Sequence, residues 1–247
     1  MARPESPSGE HLPFRSVGDK IGEGNFAEVH AFEHDPTKIL KEVRSDVWQS
    51  ETLQKARQER GFVLPETIQD IQTYTDFFKA LAETGNRAGD LIPQTMFVLG
   101  HGRDGKPTTF MVQDRIEGSS LDQGGTYYDA HLTHEQKYDL CDIIDGLIDA
   151  YIKTYDGQRG STVRFEKPDN FIYGRRVGSH EPHRLHYIDV VPLERFTPDR
   201  MILELNWGMV NYGIDDDSAL QTRYAEIVQR INEIDELGRT AHRPQVA

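Results

Sequence analysis

One long amphipathic segment constrains the fold most, because it predicts a helix that must be covered along one side. Thr133 and Gln136 have the spacing of an N-terminal capping box, and the helical pattern continues to about Tyr155. The apolar residues expected to lie inward are Leu140, Ile144, Leu147, Ile148, Tyr151 and Ile152. The acidic residues expected to face water are Asp139, Asp142, Asp145 and Asp149. Such a helix needs further elements to bury its apolar stripe.

The part of the chain before this helix has the pattern of a small antiparallel sheet. Three strand-like segments, SVGDKIGEG, FAEVHAFEHD and TKILKEV, follow one another, separated by a glycine-containing turn and a break at Pro36. Two more strand-like segments flank a Gly-rich turn at residues 102–106, which is typical of a hairpin. The first half therefore predicts a sheet-rich unit.

Two helices are expected between these groups of strands. The first covers residues 45–61, where Gly61 is suited to follow the end of a helix. The second begins at Thr67, whose spacing to Asp70 is that of a capping box. Its apolar face is expected to consist of Ile68, Ile71, Tyr74, Phe78 and Leu81.

The segment after the long helix predicts a β-hairpin, NFIYG and RLHYID, followed by further helices. A Gly- and Ser-containing linker at residues 117–120 is the expected boundary between two units. The order of elements predicts an α+β fold with two lobes. We expect an antiparallel β-lobe with helix over residues 13–116 and a small helical lobe over residues 117–240. Tails are expected at residues 1–12 and 241–247.

Composition and charge narrow the range of partners. The chain has 28 Lys and Arg residues against 41 Asp and Glu residues, which gives a net charge of −13. Such an acidic chain is poorly suited to a nucleic-acid backbone, which clustered Lys and Arg residues bind. No stretch approaches the roughly 18 consecutive apolar residues of a membrane helix, and Cys141 is the only cysteine. We expect a cytoplasmic protein that binds neither nucleic acid nor membrane.

Two features of the first half could bind phosphate groups. The segment IGEGNFAEVH places Gly22 and Gly24 in a turn between strands, where backbone N–H groups can approach phosphate oxygens. Phe26 and Val29 complete the pattern G-x-G-x-F-x-x-V. Lys41 ends an apolar strand further along and could hold phosphates as a point charge.

Two features of the second half complete the set of motifs. The stretch VRFEKPDNFIYG contains Lys167 and Asn170, and Asp189 follows an apolar strand in LHYIDVVP. With these motifs in this order, the chain from about Val17 to Pro192 resembles the protein-kinase-like superfamily, including its small-molecule branch typified by aminoglycoside phosphotransferases.

The resemblance implies a site for Mg²⁺ and ATP between the two lobes. It implies that Asn170 and Asp189 bind Mg²⁺ and that Lys41 and Lys167 hold the phosphates. These four are the expected catalytic residues. The segment FMVQDRIEGSSL is similar to the hinge that contacts the adenine. The residues expected to contact the nucleotide are Gly22, Gly24, Phe26, Val29, Lys41, Asp114 and Ile116.

In the family the strand lysine pairs with a glutamate from a helix. The resemblance therefore implies such a partner for Lys41. Glu59 and Glu66 both lie where such a residue could occur, and the sequence does not choose between them.

The sequence departs from the family where the catalytic base is expected. The family has an aspartate five residues before the asparagine, and Phe165 stands there. Asp156, Glu166 or Asp169 could replace the base, or the base is absent.

Three functions follow from this departure. The chain is an ATP-dependent phosphotransferase with a small-molecule or protein hydroxyl as acceptor, a nucleotide-binding pseudokinase with a regulatory or scaffold role, or an enzyme that transfers another group. We expect the phosphotransferase, because phosphoryl transfer depends chiefly on positioning and electrostatics. The small helical lobe favours a small substrate or an unusual protein substrate.

Overall fold

The structure, a computed structural model, describes residues 17–23, 27–43, 62–63, 68–85, 87–101, 107–121, 132–162, 170–189, 193–212, 214 and 218–241. Its strands in chain order are β1 (Val17–Glu23), β2 (Ala27–Phe32), β3 (Lys38–Val43), β4 (Phe62–Val63), β5 (Thr95–His101), β6 (Pro107–Asp114), β7 (Ile116–Ser120), β8 (Gly160–Thr162), β9 (Phe171–Arg176), β10 (Arg184–Tyr187) and β11 (Leu193–Phe196). Its helices are α1 (Ile68–Ala82), α2 (Ala88–Leu91), α3 (His134–Thr154), α4 (Pro198–Asn211) and α5 (Gln221–Ala241), with a 3₁₀ turn at Ser218–Leu220. None of the described helices is long and apolar enough to cross a membrane.

The N-terminal sheet has five strands in the order β1-β2-β3-β6-β5, and every neighbouring pair is antiparallel. It contains the three predicted consecutive strands and the predicted hairpin of β5 and β6. The hairpin predicted after the long helix is also present, as the antiparallel pair of β9 and β10. Most of the remaining described chain is helical. The predicted α+β fold, with an antiparallel sheet first and mainly helices later, is therefore confirmed.

Helix α1 is the helix predicted to begin at Thr67. Leu81 is buried and Phe78 packs against the main core, as predicted, and Phe77 is fully buried beside them. The helix predicted over residues 45–61 lies outside the described residues. The short strands β8 and β11 were not predicted, because their pairing joins segments that are far apart in sequence.

Helix α3 confirms the long helix predicted from the sequence. Gln136 N–H donates to Thr133 Oγ1 (3.3 Å), and Thr133 N–H donates to Gln136 Oε1 (2.8 Å), so the capping box is formed. The residues of the predicted apolar stripe that are fully buried are Leu140, Ile144, Leu147, Ile148 and Tyr151. Ile152 is partly buried against the same core. The main core joins this helix to α1, α2, α4, α5 and the β9–β10 hairpin.

The prediction that the aspartates of α3 face water was wrong for two of them. Asp139 is 2% exposed and Asp145 is 6% exposed. Asp139 accepts hydrogen bonds from Arg184 Nε (2.7 Å) and from the N–H of Leu185 (2.8 Å) on β10. Asp145 forms an ion pair with Arg223 on α5. Helix α3 is therefore covered on further sides by elements that supply cations.

The segment 117–120, expected to be a linker, is part of strand β7. This strand pairs with β9, and Gly118 lies opposite Gly174. A Cβ atom on Gly118 would lie 2.2 Å from the carbonyl oxygen of Tyr173, and one on Gly174 would lie 2.2 Å from that of Glu117. The two facing glycines allow a close approach of the strands. A glycine-containing segment of this kind therefore has the composition of a linker although it forms a strand.

The buried His186 on β10 gives a prediction for the pH dependence of stability. His186 is 3% exposed, and burial together with the positive charge of Arg176 lowers its pKa to about 4. In the unfolded chain His186 takes up a proton near pH 6.5, whereas in the folded protein it stays neutral down to about pH 4. The stability that neutral His186 contributes is therefore lost as pH falls from 6.5 towards 4. Between pH 7 and pH 5 the loss amounts to about 2 kcal/mol from this residue.

We expect His186→Gln to lose less stability than the wild type over this interval, as measured by urea unfolding at both pH values. An equal loss in the two proteins would show that His186 is not responsible.

Candidate functional site

Lys41 lies on a face of the N-terminal sheet that several candidate residues share. In the antiparallel register Val29 of β2 and Met111 of β6 are both directly opposite Lys41 of β3. Gly22 of β1 is opposite Val29, and Gln113 is opposite Ile39. Residues directly opposite one another in such a pair point to the same face. The predicted Gly22, Val29 and Lys41 therefore share one face.

The side chain of Lys41 points from this face to the segment that contains Asp189. Its Nζ donates a hydrogen bond of 2.8 Å to the carbonyl oxygen of Ile188. Lys41 is only 8% exposed, and burial lowers its pKa, whereas the negative charge of Asp189 raises it. The Asp189 carboxylate already balances part of the charge of this buried ammonium group. Lys41 is therefore suited to bind a further anion only by direct contact.

Asn170 lies next to the same segment. The N–H of Ile188 donates to the carbonyl oxygen of Asn170 (2.8 Å), which continues the β9–β10 pairing beyond Phe171 and Tyr187. Asn170 is 7% exposed. The structure thus brings Lys41, Asn170 and Asp189 together from three separate parts of the sequence.

Gln113 belongs to this cluster; it lies in the segment that is similar to the hinge, although it was not among the predicted site residues. Its Nε2 lies 3.1 Å from the carbonyl oxygen of Ile188 and 2.9 Å from Thr95 Oγ1. Period-two alternation along β6 could have placed Gln113 on the same face as Met111, and therefore as Lys41. The hydrogen bond itself depends on the position of a distant carbonyl group, which no local pattern predicts.

Nothing among the described residues requires a glycine at position 22. Its φ is not positive, and an added Cβ atom would meet nothing closer than 3.7 Å, at Val29 Cβ. That distance is an ordinary van der Waals contact, so the described residues would accept a side chain there. Access for a ligand is one physical reason for a glycine at such a position.

Several predicted site residues lie outside the described part of the chain. They are Gly24, Phe26 and Lys167. The same holds for Phe165, for the candidate bases Glu166 and Asp169, and for the two glutamates considered as partners of Lys41, Glu59 and Glu66.

Asp114 and Ile116 flank the junction between the N-terminal sheet and β7. The Asp114 carboxylate forms ion pairs with Lys38 and, at 3.6 Å, with Arg176 Nε. Between them, Arg115 donates its N–H to Thr37 O (2.8 Å), and its carbonyl oxygen accepts from the N–H of Val177 (2.9 Å). The Asp114 side chain thus joins β3 and β6 to β9, so a ligand contact by this residue would use its backbone.

Asp156 is held at the turn between α3 and β8. Its Oδ1 accepts hydrogen bonds from the N–H groups of Gln158 (3.0 Å) and Arg159 (2.9 Å), and its Oδ2 pairs with Arg195. The backbone hydrogen bond from Arg159 is the main cause that lowers the pKa of Asp156. Arg195 also lines an open polar cavity of about 570 Å³ between α1, the end of α3, β8 and β11. Both carboxylate oxygens are occupied, which disfavours Asp156 as a proton acceptor.

The residues present fit a magnesium ion that is bound largely by other ligands. Asn170 and Asp189 offer an amide and a carboxylate oxygen, the hard donors that Mg²⁺ prefers. No group of three or more His, Cys, Asp or Glu side chains within the described residues is arranged to hold a metal ion. A Mg²⁺ ion here would need phosphate oxygens or waters to complete its shell, which is its usual mode of binding.

Comparison with known proteins gave matches among solved structures only. No protein-family model matches the sequence, and the search of curated proteins found no match. A solved structure of vaccinia related kinase 3 is 16% identical to this chain, with a TM-score of 0.37. The match covers 68% of this chain and 47% of the kinase chain. A solved structure of a kinase-dead mutant of the Toxoplasma gondii kinase Ron13 is 10% identical to this chain, with a TM-score of 0.40. The match covers 74% of this chain and 29% of the Ron13 chain. The chain therefore spans less than half of either matched structure.

Proposed function

We propose that the chain is a kinase-like protein that binds ATP and Mg²⁺ between an N-terminal lobe of residues 13–116 and a C-terminal lobe of residues 117–240. The observation that carries this proposal is the buried contact of Lys41 Nζ with the Ile188 carbonyl, beside Asp189 and Asn170. The motifs of the sequence support the same proposal.

Each residue of the cluster has a role that its chemistry allows. Lys41 provides a cation for the phosphate groups, and Asp189 and Asn170 provide oxygen ligands for Mg²⁺. Bound Mg²⁺ would neutralise charge on the phosphate oxygens. Lys167 would add a second cation near the transferred phosphate.

The nucleotide itself is proposed to contact both the sheet and the junction. Gly22, Gly24, Phe26 and Val29 would lie over the phosphates, and the backbone of Asp114 and Ile116 would contact the base. The open space at Gly22 supports this arrangement, because a ligand can approach the backbone there.

We propose ATP-dependent phosphoryl transfer as the activity, with a small-molecule or protein hydroxyl as the acceptor. The cluster supplies the electrostatic part of that reaction, which is its larger part. A pseudokinase is the second candidate. It is favoured by Phe165 at the position of the base and by the occupied carboxylate of Asp156.

The two candidates differ in ATP turnover. With water as the acceptor, we expect the wild type to release ADP and phosphate from ATP in a Mg²⁺-dependent manner and Asp189→Ala to lose this release to the level of a blank. Asp199→Ala, which removes an exposed carboxylate at the start of α4, is the control and should keep it. Binding of ATP by the wild type without turnover would contradict the enzyme and favour the pseudokinase.

A further inference from the structure

The carbonyl group that precedes Asp189 accepts hydrogen bonds from two buried side chains. Lys41 Nζ lies 2.8 Å and Gln113 Nε2 lies 3.1 Å from the oxygen of Ile188. The N–H of the same residue is bonded to the carbonyl oxygen of Asn170 (2.8 Å). The backbone next to Asp189 is therefore held by two strands of the N-terminal sheet and by the end of β9.

The orientation of the Gln113 amide is set by a chain of hydrogen bonds behind it. Thr95 Oγ1 donates to the carbonyl oxygen of Pro93 (3.2 Å), so its hydroxyl can only accept from Gln113. The –NH₂ group of Gln113 must then face Thr95, and its second N–H reaches Ile188. Both Thr95 and Gln113 are buried, at 5% and 1% exposed. The amide is a donor that cannot turn away without leaving buried groups unpaired.

The two donors to Ile188 differ in what else they can do. The ammonium group of Lys41 is a cation that negative phosphate oxygens attract, and on the proposed function it contacts the nucleotide. In such a contact the phosphate oxygens compete with the carbonyl oxygen of Ile188 for the ammonium group, which weakens the hydrogen bond to Ile188. Gln113 is neutral and is not attracted to the phosphate oxygens in this way, so its bond to Ile188 can persist when the nucleotide is bound.

We propose that Gln113 is a positioning residue, which holds the Ile188 carbonyl and thereby keeps the Asp189 carboxylate directed at the metal ion while Lys41 contacts the phosphates. This inference rests on the proposed function. It adds a role for a residue outside the set expected to bind the nucleotide and the metal ion.

The test compares ATP binding with and without Mg²⁺ in variants that differ in this one hydrogen bond. In Gln113→Met, which keeps the length of the side chain, the gain in ATP affinity on adding Mg²⁺ should fall roughly fivefold, the effect of one neutral hydrogen bond. Affinity for ATP without Mg²⁺ should change little. Gln136→Met removes a buried amide from the capping box of α3 and is the matched control, with a lower melting temperature but the wild-type gain.

A second readout needs no ligand. The N–H of Ile188 should exchange with deuterium roughly fivefold faster in Gln113→Met than in the wild type, because its strand loses one of its anchors. Gln136→Met should leave this exchange rate unchanged. If Gln113→Met does not fold, Thr95→Val replaces it: loss of the hydroxyl frees the amide to turn, which should lower the Mg²⁺-dependent gain and speed the exchange at Ile188, as in Gln113→Met.

The outcomes separate this inference from the proposed function. A wild type with a Mg²⁺-dependent gain that Gln113→Met retains in full, with unchanged exchange at Ile188, overturns the role of Gln113 alone. A wild type that does not bind ATP overturns the proposed function and this inference with it. A reduced gain and faster exchange in Gln113→Met, absent in Gln136→Met, is the result expected.

Discussion

Lys41→Met is expected to weaken ATP binding more than any other single substitution on the N-terminal sheet. Methionine has a similar length but lacks the ammonium group, so the charge-assisted bonds to the phosphates are lost. Such bonds contribute about 1.5–3 kcal/mol, which corresponds to a roughly 10- to 150-fold loss of affinity. The measurement is the dissociation constant of ATP in the presence of Mg²⁺, by calorimetry or by titration of the melting temperature.

A matched control removes the same charge away from the cluster. Lys79 is exposed on α1, and Lys79→Met should bind ATP as the wild type does. Unchanged ATP affinity in Lys41→Met would contradict the proposed site, because the buried Lys41 would then have only a structural role. That role, a contact of Lys41 with the Ile188 carbonyl, predicts an altered melting temperature and no altered affinity.

Arg223→Gln is expected to cause the largest loss of stability among the substitutions considered. Arg223 on α5 pairs with Asp142 of α3 (2.9 Å) and with the buried Asp145. Without it, Asp145 keeps its position in the interior but loses an opposite charge. Removing one partner of a buried ion pair typically costs about 3–5 kcal/mol. Urea unfolding at pH 7 measures the change.

The same variant has an expected pH dependence. Burial raises the pKa of Asp145, and Arg223 opposes this rise. With Arg223 gone the pKa rises further, and a raised folded-state pKa costs stability as pH increases through it. The deficit of Arg223→Gln should therefore be smaller at pH 5 than at pH 8.

Two further variants test the cause of this deficit. Arg223→Gln combined with Asp145→Asn should recover part of the loss, because no buried charge is left unpaired. Arg239→Gln, which breaks an exposed pair with Asp235, should change stability by at most about 1 kcal/mol. Equal deficits for Arg223→Gln and Arg239→Gln would contradict the assigned role of the buried pair.

Local patterns predicted the elements of this fold well where neighbours in sequence decide the structure. The capping box at Thr133 and the apolar stripe of α3 are properties of one segment, and both are present. The burial of Asp139 and Asp145 could not be predicted in this way. It depends on Arg184 and Arg223, which reach α3 from other elements.

Segment 117–120 illustrates the same limit for strands. Its composition is that of a linker, and its strand conformation depends on a glycine in β9, Gly174, that allows the close approach. Pairing partners that are distant in sequence leave no local periodicity to detect.

The candidate site divides along similar lines. Lys41, Asn170 and Asp189 were predicted from motifs and from the resemblance that the motifs carry, and the structure brings them close together. The contribution of Gln113 required the position of the Ile188 carbonyl, which only the folded arrangement of β6 and β10 provides.

Nucleotide binding is tested most directly by titrating the wild-type chain with ATP, with and without Mg²⁺, and measuring its melting temperature. Ligand that binds only the folded state raises the melting temperature with concentration. We predict a saturable rise with ATP that is larger when Mg²⁺ is present. No shift at about millimolar ATP in either condition would contradict nucleotide binding by the Lys41–Asp189 cluster.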